Sequence, residues 1–67
     1  MTFAIKNKRT GKYVYGTDYR HFPPTQRTST DKMLLYDSRE DAEMDFRHRK
    51  CGKDYIVIAV IVTEIDT

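Results

Sequence analysis

Eight consecutive residues near the end of the chain, YIVIAVIV from Tyr55 to Val62, include no charge and no turn-forming residue. β-Branched side chains dominate, which favours a strand over a helix, and the pattern predicts a strand from Asp54 to about Ile65. Successive side chains of a strand point to opposite faces. One face therefore carries Tyr55, Val57, Ala59 and Ile61, and the other carries Ile56, Ile58, Val60 and Val62. Both faces are apolar, so this strand needs cover on both sides.

The length of the chain limits how that cover can be supplied. Its 67 residues predict a single domain, residues 1–67, and a chain of this size buries only about 60% of the surface that its unfolded form exposes. The lone cysteine, Cys51, permits no internal disulfide and fits a reducing compartment. No signal-peptide pattern is visible, and the apolar run is shorter than the ~20 residues of a membrane helix. We therefore expect a cytoplasmic protein with no membrane association.

Two alternating segments at the start of the chain predict a β-hairpin. They are residues 3–7 and 12–15, and Gly11 between them suits the positive φ that short hairpin loops need. Pairing Ile5 with Val14 would place both on one face together with Phe3. The other face would then carry Ala4, Lys6, Tyr13 and Tyr15.

A polar stretch without periodicity follows the hairpin and holds both prolines. It predicts a long loop at about residues 17–31, a length that in compact domains is usually functional or disordered. The next apolar residues, Met33 to Tyr36, predict a short strand.

The segment from Asp37 to Gly52 predicts a helix. Asp37 could cap its start, with Glu40 reaching back as a capping box, and Gly52 lies where a left-handed C-terminal cap belongs. Acidic residues fill the first turns and basic residues the last, as the helix dipole favours. Ala42 and Phe46 share the apolar side of this helix.

Together these elements predict an α+β fold. The order is β-hairpin, long loop, short strand, helix and C-terminal strand, which gives a three- or four-stranded, mainly antiparallel sheet with one helix packed on one face. The second apolar face of the last strand could be covered by the long loop, by a second copy of the chain in a homodimer, or by a foreign protein that docks there or adds a strand.

Catalytic and metal-binding patterns are lacking in the sequence. The three glycines are scattered and form no phosphate-binding loop. His21, His48 and Cys51 lack the paired short spacings of a zinc site. We expect no enzymatic activity, no metal and no cofactor.

Two sets of residues are candidates for binding. Lysines beside tyrosines are typical of proteins that bind single-stranded nucleic acid, although tyrosines on exposed strands and a polar hairpin tip are also ordinary structural features. The net charge of +2 permits nucleic-acid binding without requiring it. The candidates for this role are Lys8, Arg9, Lys12, Tyr13, Tyr15 and Arg27. The candidates for contact with a protein partner are Tyr19, Arg20, Phe22 and Met44.

Three segments, TGKYVYGTDYR, LLYDSREDAEMDF and CGKDYIVIAVIV, together resemble small uncharacterised accessory proteins encoded in phages and prophages of Gram-positive bacteria. The resemblance covers most of the chain and is one of general organisation. It implies a protein that acts by binding, as an inhibitor or modulator of host machinery such as a CRISPR nuclease, or as a nucleic-acid-binding module. The basic character of the chain argues against mimicry of DNA.

Overall fold

The computed structural model describes residues 1–61 of the chain. Within them, four strands form one sheet in the order β3-β2-β1-β4, with every neighbouring pair antiparallel. One helix packs against β1 and β4. The predicted α+β fold, with a single helix and an antiparallel sheet, is confirmed. The elements are β1 (Thr2–Asn7), β2 (Tyr13–Asp18), β3 (Thr25–Ser29), α1 (Arg39–His48) and β4 (Tyr55–Val60).

The hairpin of β1 and β2 has the predicted register. Lys6 pairs with Tyr13, which places Ile5 beside Val14. The turn is held by the side chain of Asn7, whose Oδ1 accepts hydrogen bonds from the backbone N–H groups of the second and third residues after it, at 2.8 and 3.2 Å. Gly11 has the expected positive φ, 76°, a conformation that glycine adopts without steric cost.

The helix covers one face of the sheet, called here the covered face. Phe3, Ile5 and Val14 lie on that face and are buried, as is Ala42 of α1. Val57 of β4 lies opposite Ile5 and so points to the same side. The opposite side of the sheet, called here the open face, has no helix against it in the described part of the chain.

The segment from Met33 to Tyr36 is not a regular strand, contrary to the prediction. Tyr36 forms an isolated bridge with Phe3, and the N–H of Leu34 donates to the carbonyl of Val14 at 3.0 Å. β1 and β2 diverge beyond the Lys6–Tyr13 pair, so this segment fills the gap between them. Because its side chains alternate, Leu34 and Tyr36 point to the covered face, and Met33 and Leu35 point to the open face.

A strand occupies much of the predicted long loop. β2 continues to Asp18 and β3 covers Thr25–Ser29, so the connecting loop is reduced to residues 19–24. Gln26 anchors β3, since its side chain accepts a hydrogen bond from Thr17 and donates one to the carbonyl of Arg49, both at 2.7 Å. The sequence TQRTS has no apolar residue, and an alternation of apolar and polar residues therefore could not reveal this strand.

Both predicted helix caps are wrong. Ser38 is the N-cap, and its hydroxyl accepts from the N–H of Asp41 at 3.1 Å, so a hydroxyl replaces the carboxylate of Asp37. At the other end, Lys50 instead of Gly52 has the left-handed conformation, with φ 55°. The N–H groups of Lys50 and of the following residue, Cys51, donate to carbonyls of the last helical turn at 3.1 Å. This is the hydrogen-bond pattern of a Schellman motif.

The last strand is shorter than predicted within the described residues. β4 begins at Tyr55 and ends at Val60, whereas the sequence predicts a strand from Asp54 to about Ile65. Residues 62–67, including Val62, lie outside the described residues.

The conformation of Lys50 leads to a stability prediction. The left-handed conformation costs a residue with a Cβ roughly 1–2 kcal/mol of folding free energy, and glycine avoids that cost. Part of this gain is lost because glycine makes the unfolded chain more flexible and so raises its conformational entropy. We therefore expect Lys50→Gly to raise the free energy of unfolding by about 0.5 kcal/mol, measured by urea unfolding.

Gly52→Ala is the matched control for this change. A Cβ at Gly52 meets no atom within 4 Å, and this glycine does not have a positive φ. Alanine there should therefore be neutral or slightly stabilising. A loss of stability in Lys50→Gly would contradict the prediction, and would show that the contact of Lys50 with Phe22, at 5.8 Å from ammonium nitrogen to ring centroid, outweighs the backbone strain.

Candidate protein-binding surface

The open face of the sheet carries an apolar cleft of about 750 Å³. Three parts of the fold supply its walls: β2, the segment before α1, and β4. Ala4 of β1 lies opposite Ile58 and is fully buried. The apolar residues that line the cleft include Tyr13, Met33, Leu35, Ile58, Val60 and Ile61.

Lysines lie beside the tyrosines of β2. The ammonium nitrogen of Lys6 is 5.8 Å from the centroid of the Tyr13 ring, and that of Lys32 is 6.0 Å from the Tyr15 ring. Both distances are within the range of cation–π attraction. Since Lys32 and Tyr13 also line the cleft, the apolar surface has a cationic border there, with Asp31 as a neighbouring acid.

Strand β4 is at the edge of the sheet and has no fully buried residue. In the described part of the chain no strand pairs with its outer side. Ile56 is 37% exposed and Ile61 is 94% exposed. The helix and β1 therefore bury only part of the apolar surface of this strand.

A polar network joins the helix to the sheet on the covered face. The Tyr36 hydroxyl donates to the carboxylate of Asp45, and the Arg49 Nε donates to the same carboxylate at 2.7 Å. Arg49 also donates from Nη1 to the hydroxyl of Thr17 at 2.8 Å. One carboxylate and one guanidinium thus connect α1, β2 and the segment before the helix.

The pKa values in this network reflect the Asp45 carboxylate, which accepts hydrogen bonds from both Tyr36 and Arg49. Partial burial alone would raise the pKa of Asp45, but the hydrogen bonds from Tyr36 and Arg49 outweigh it and lower that pKa. For Tyr36, burial and the neighbouring carboxylate both raise the pKa of the phenol. The network therefore holds an ionised Asp45 and a neutral Tyr36, and its geometry is that of a structural brace.

Three of the four candidate residues for protein binding lie in the 19–24 loop. Phe22 is 92% exposed and Tyr19 is 59% exposed. Arg20 donates to both carboxylate oxygens of Asp18, at 3.0 and 2.8 Å. The side-chain hydrogen bonds from Arg20 hold the pKa of Asp18 well below its usual range. The fourth candidate, Met44, is elsewhere: it is exposed on α1 and lines a shallow hollow with Asp41, Asp45 and His48.

The candidate residues for nucleic-acid binding are divided among the hairpin turn, β2 and β3. Lys8, Arg9 and Lys12 lie at the hairpin turn, where Arg9 is 3.7 Å from a carboxylate oxygen of Asp54. Tyr13 lines the open-face cleft. Tyr15 lies at a bulge in β2, between Val14 and Gly16. Arg27 pairs with Gly16 across the strands.

Cys51, His21 and His48 do not form a metal-binding cluster in the described residues. Among residues 1–61, no group of three His, Cys, Asp or Glu side chains could hold a metal ion. Burial raises the pKa of the Cys51 thiol to about 11, which leaves little thiolate near neutral pH.

Sequence reasoning missed the way the open face is assembled. The sequence predicted a strand that contains Met33 and Leu35, but it did not predict which strands lie beside it or which face of the sheet these two side chains join. The one available signal was the apolar character of both alternating sets in MLLY, which indicates a strand apolar on two faces, as in β4.

The fold and this surface define a small α+β protein with an apolar, open antiparallel sheet. Comparison with protein-family models, with curated proteins and with solved structures finds no match. None of the helices in the described part of the chain has the length and apolar character needed to cross a membrane.

Proposed function

We propose that this chain is a non-enzymatic protein-binding module that uses its open face. The observation that supports the proposal is the apolar cleft of about 750 Å³ on the side of the sheet away from the helix. An inhibitor or modulator of other machinery, as the phage resemblance implies, would act through the same surface.

The exposed side chains on this face are of the types that protein partners bury. Leu35 is 49% exposed and Tyr15 is 39% exposed, and Leu35 lines the cleft together with the partly buried Met33 and Ile58. Contiguous apolar patches on small proteins usually mark interaction sites, and tyrosine and methionine are enriched at such interfaces. A sheet face that is simply exposed to solvent would instead carry polar side chains at every second position of its strands.

A single-stranded nucleic acid is the second candidate partner. Tyr13 and Tyr15 on the same side as Lys6 and Lys32 favour it, since stacking rings and cations are its usual ligands. Ile58 and Val60 of β4, which line the cleft, argue for a protein, because they offer neither charge nor a stacking ring.

The test compares two glutamate variants of the full chain. Leu35→Glu places a charge in the cleft, and Met44→Glu makes a matched change at a candidate residue that the structure places on the helix, outside the cleft, where its side chain is 56% exposed. Peptides are selected from a random displayed library on the wild-type protein. We expect the selected peptides to bind Leu35→Glu at least about tenfold more weakly and Met44→Glu unchanged, with folding of both variants checked by circular dichroism.

Two results would contradict the proposal. One is a library that yields no peptide enriched over the bare support, and the other is a set of peptides that bind Leu35→Glu as well as the wild type. Labelled single-stranded DNA and RNA are titrated in parallel by fluorescence anisotropy. Tight binding that weakens steeply with added salt and is lost in a Tyr13→Ala, Tyr15→Ala variant would assign the surface to nucleic acid.

A further inference from the structure

The outer edge of β4 presents backbone groups that are not paired with any other strand among the described residues. Both the N–H and the carbonyl of Phe3 bond to Tyr36, on the side away from β4. In an antiparallel pair, residues alternate between those that bond across the pair and those that point away. Phe3 lies opposite Ala59 and Ile5 opposite Val57. Val57 and Ala59 therefore direct their N–H and carbonyl groups outward, where another strand could bond to them.

A basic groove of about 400 Å³ runs along this edge on the helix side. Its lining includes the successive residues Ile56 and Val57, whose side chains point to opposite faces, so the groove reaches the edge itself. The helix contributes Arg39, Arg47, Glu43 and Phe46. Two guanidinium groups and one carboxylate leave the groove with a net positive charge.

Arg39 links this groove to the exposed backbone. Its guanidinium lies 5.1 Å from the centroid of the Phe3 ring, and its Nη1 is 3.5 Å from the carbonyl oxygen of Val57. The bond is long and therefore weak. A stronger anionic acceptor in the groove would draw the guanidinium away and free the carbonyl.

We propose that an extended segment of the partner adds to the outer edge of β4 as a fifth strand, with its apolar side chains toward the open face and its carboxylates toward Arg39 and Arg47. This inference rests on the proposed function and names the chemistry of the partner. Strand addition supplies affinity through backbone hydrogen bonds and specificity through alternate side chains. Because successive side chains alternate, the matching segment alternates apolar and acidic residues.

A second copy of this chain fits the edge less well than such a segment. The residues from Tyr55 to Ile61 carry no charge, so a second β4 would bring no carboxylate to Arg39 and Arg47. An antiparallel pair of β4 strands would also place the two α1 helices on the same face, with their arginines beside one another. Charge complementarity therefore favours an acidic partner.

Two synthetic nonapeptides test the inference, one alternating valine with glutamate and the other alternating valine with lysine. Each is titrated into the isotope-labelled full chain, and binding is followed by backbone amide resonances. We expect the glutamate peptide to bind at least about tenfold more tightly, with the amides of Val57 and Ala59 slowed in hydrogen exchange. The combined variant Arg39→Gln, Arg47→Gln should bind both peptides with similar affinity.

Ala59→Pro tests the backbone contact directly. It removes an N–H that points away from β1, so the ladder between β1 and β4 is kept, and proline is tolerated on edge strands. We expect this variant to fold, as checked by circular dichroism, and to lose binding of the glutamate peptide.

The results separate this inference from the proposed function. Equal affinity for the two peptides, no binding of either, or binding that survives Ala59→Pro would overturn strand addition. Library-selected peptides that still depend on Leu35 would in that case leave the open-face function intact. A dimer seen by sedimentation equilibrium and abolished by Ala59→Pro would assign the edge to a second copy, which also overturns the inference.

Discussion

Replacing Ile5 with alanine is expected to lower the free energy of unfolding by about 3 kcal/mol, because burial of the side chain is lost and a cavity remains. Ile5 is only 1% exposed and lies between Val14 and Val57 beneath the helix. A domain of this size has a stability near the low end of roughly 5–15 kcal/mol, so this loss would leave a substantial unfolded population.

Urea unfolding followed by circular dichroism measures the loss. Ile61→Ala is the matched control, since it removes the same atoms from a side chain that is 94% exposed, and it should change stability by less than about 0.5 kcal/mol. A loss below about 1 kcal/mol in Ile5→Ala would contradict the prediction, and would mean that the centre of the core lies elsewhere.

Removal of the Asp45 carboxylate is expected to have the second largest effect, a loss of about 2 kcal/mol in Asp45→Ala. The change leaves the Tyr36 hydroxyl and the Arg49 Nε without the acceptor that they share, in a partly buried place where water replaces it incompletely. Glu43→Ala on the same helix is the control and should change stability by no more than about 0.5 kcal/mol. Equal losses in the two variants would show that the network adds nothing beyond helix propensity.

The lowered pKa of Asp45 fixes the direction of a pH effect. A group whose pKa is lower in the folded state than in the unfolded state stabilises the fold above its unfolded pKa, about 4. That contribution is lost as the pH falls through the folded value. We expect the wild type to lose stability more steeply than Asp45→Asn when urea unfolding is repeated below about pH 4. Asp18 and Asp31, whose pKa values are also lowered, set the decline common to both proteins. Parallel curves would contradict the role assigned to Asp45.

The parts of the fold that obey a simple period could be predicted from the sequence. Alternation gave the register of Ile5 beside Val14, and the charge pattern of the helix indicated its position. The strand at Thr25–Ser29 could not be found this way, since its stability comes from backbone pairing and from the side chain of Gln26. The caps were misassigned because Ser38 and Lys50 compete with equally plausible neighbours, and only tertiary packing decides between them.

The candidate site was less predictable than the fold. The two-sided apolar character of β4 indicated a need for a partner, and this is the sequence signal behind the proposed surface. The divergence of β1 and β2 depends on long-range packing. Because the two strands diverge, the segment with Met33 and Leu35 lies between them and places these side chains on the open face. The groove beside Arg39 and Arg47 likewise arises only when α1 lies across β4.

The strand order β3-β2-β1-β4 has a consequence for biosynthesis. Of the four described strands, β1 is synthesised first and pairs along its length with β4, which is synthesised last, so that Thr2 meets Val60, while its backbone pairing with β2 is limited to Lys6 and Tyr13. Contacts between residues so distant in sequence slow folding. β1 therefore lacks its main strand partner until β4 emerges, which makes closure of this sheet an event that follows translation of almost the entire described chain.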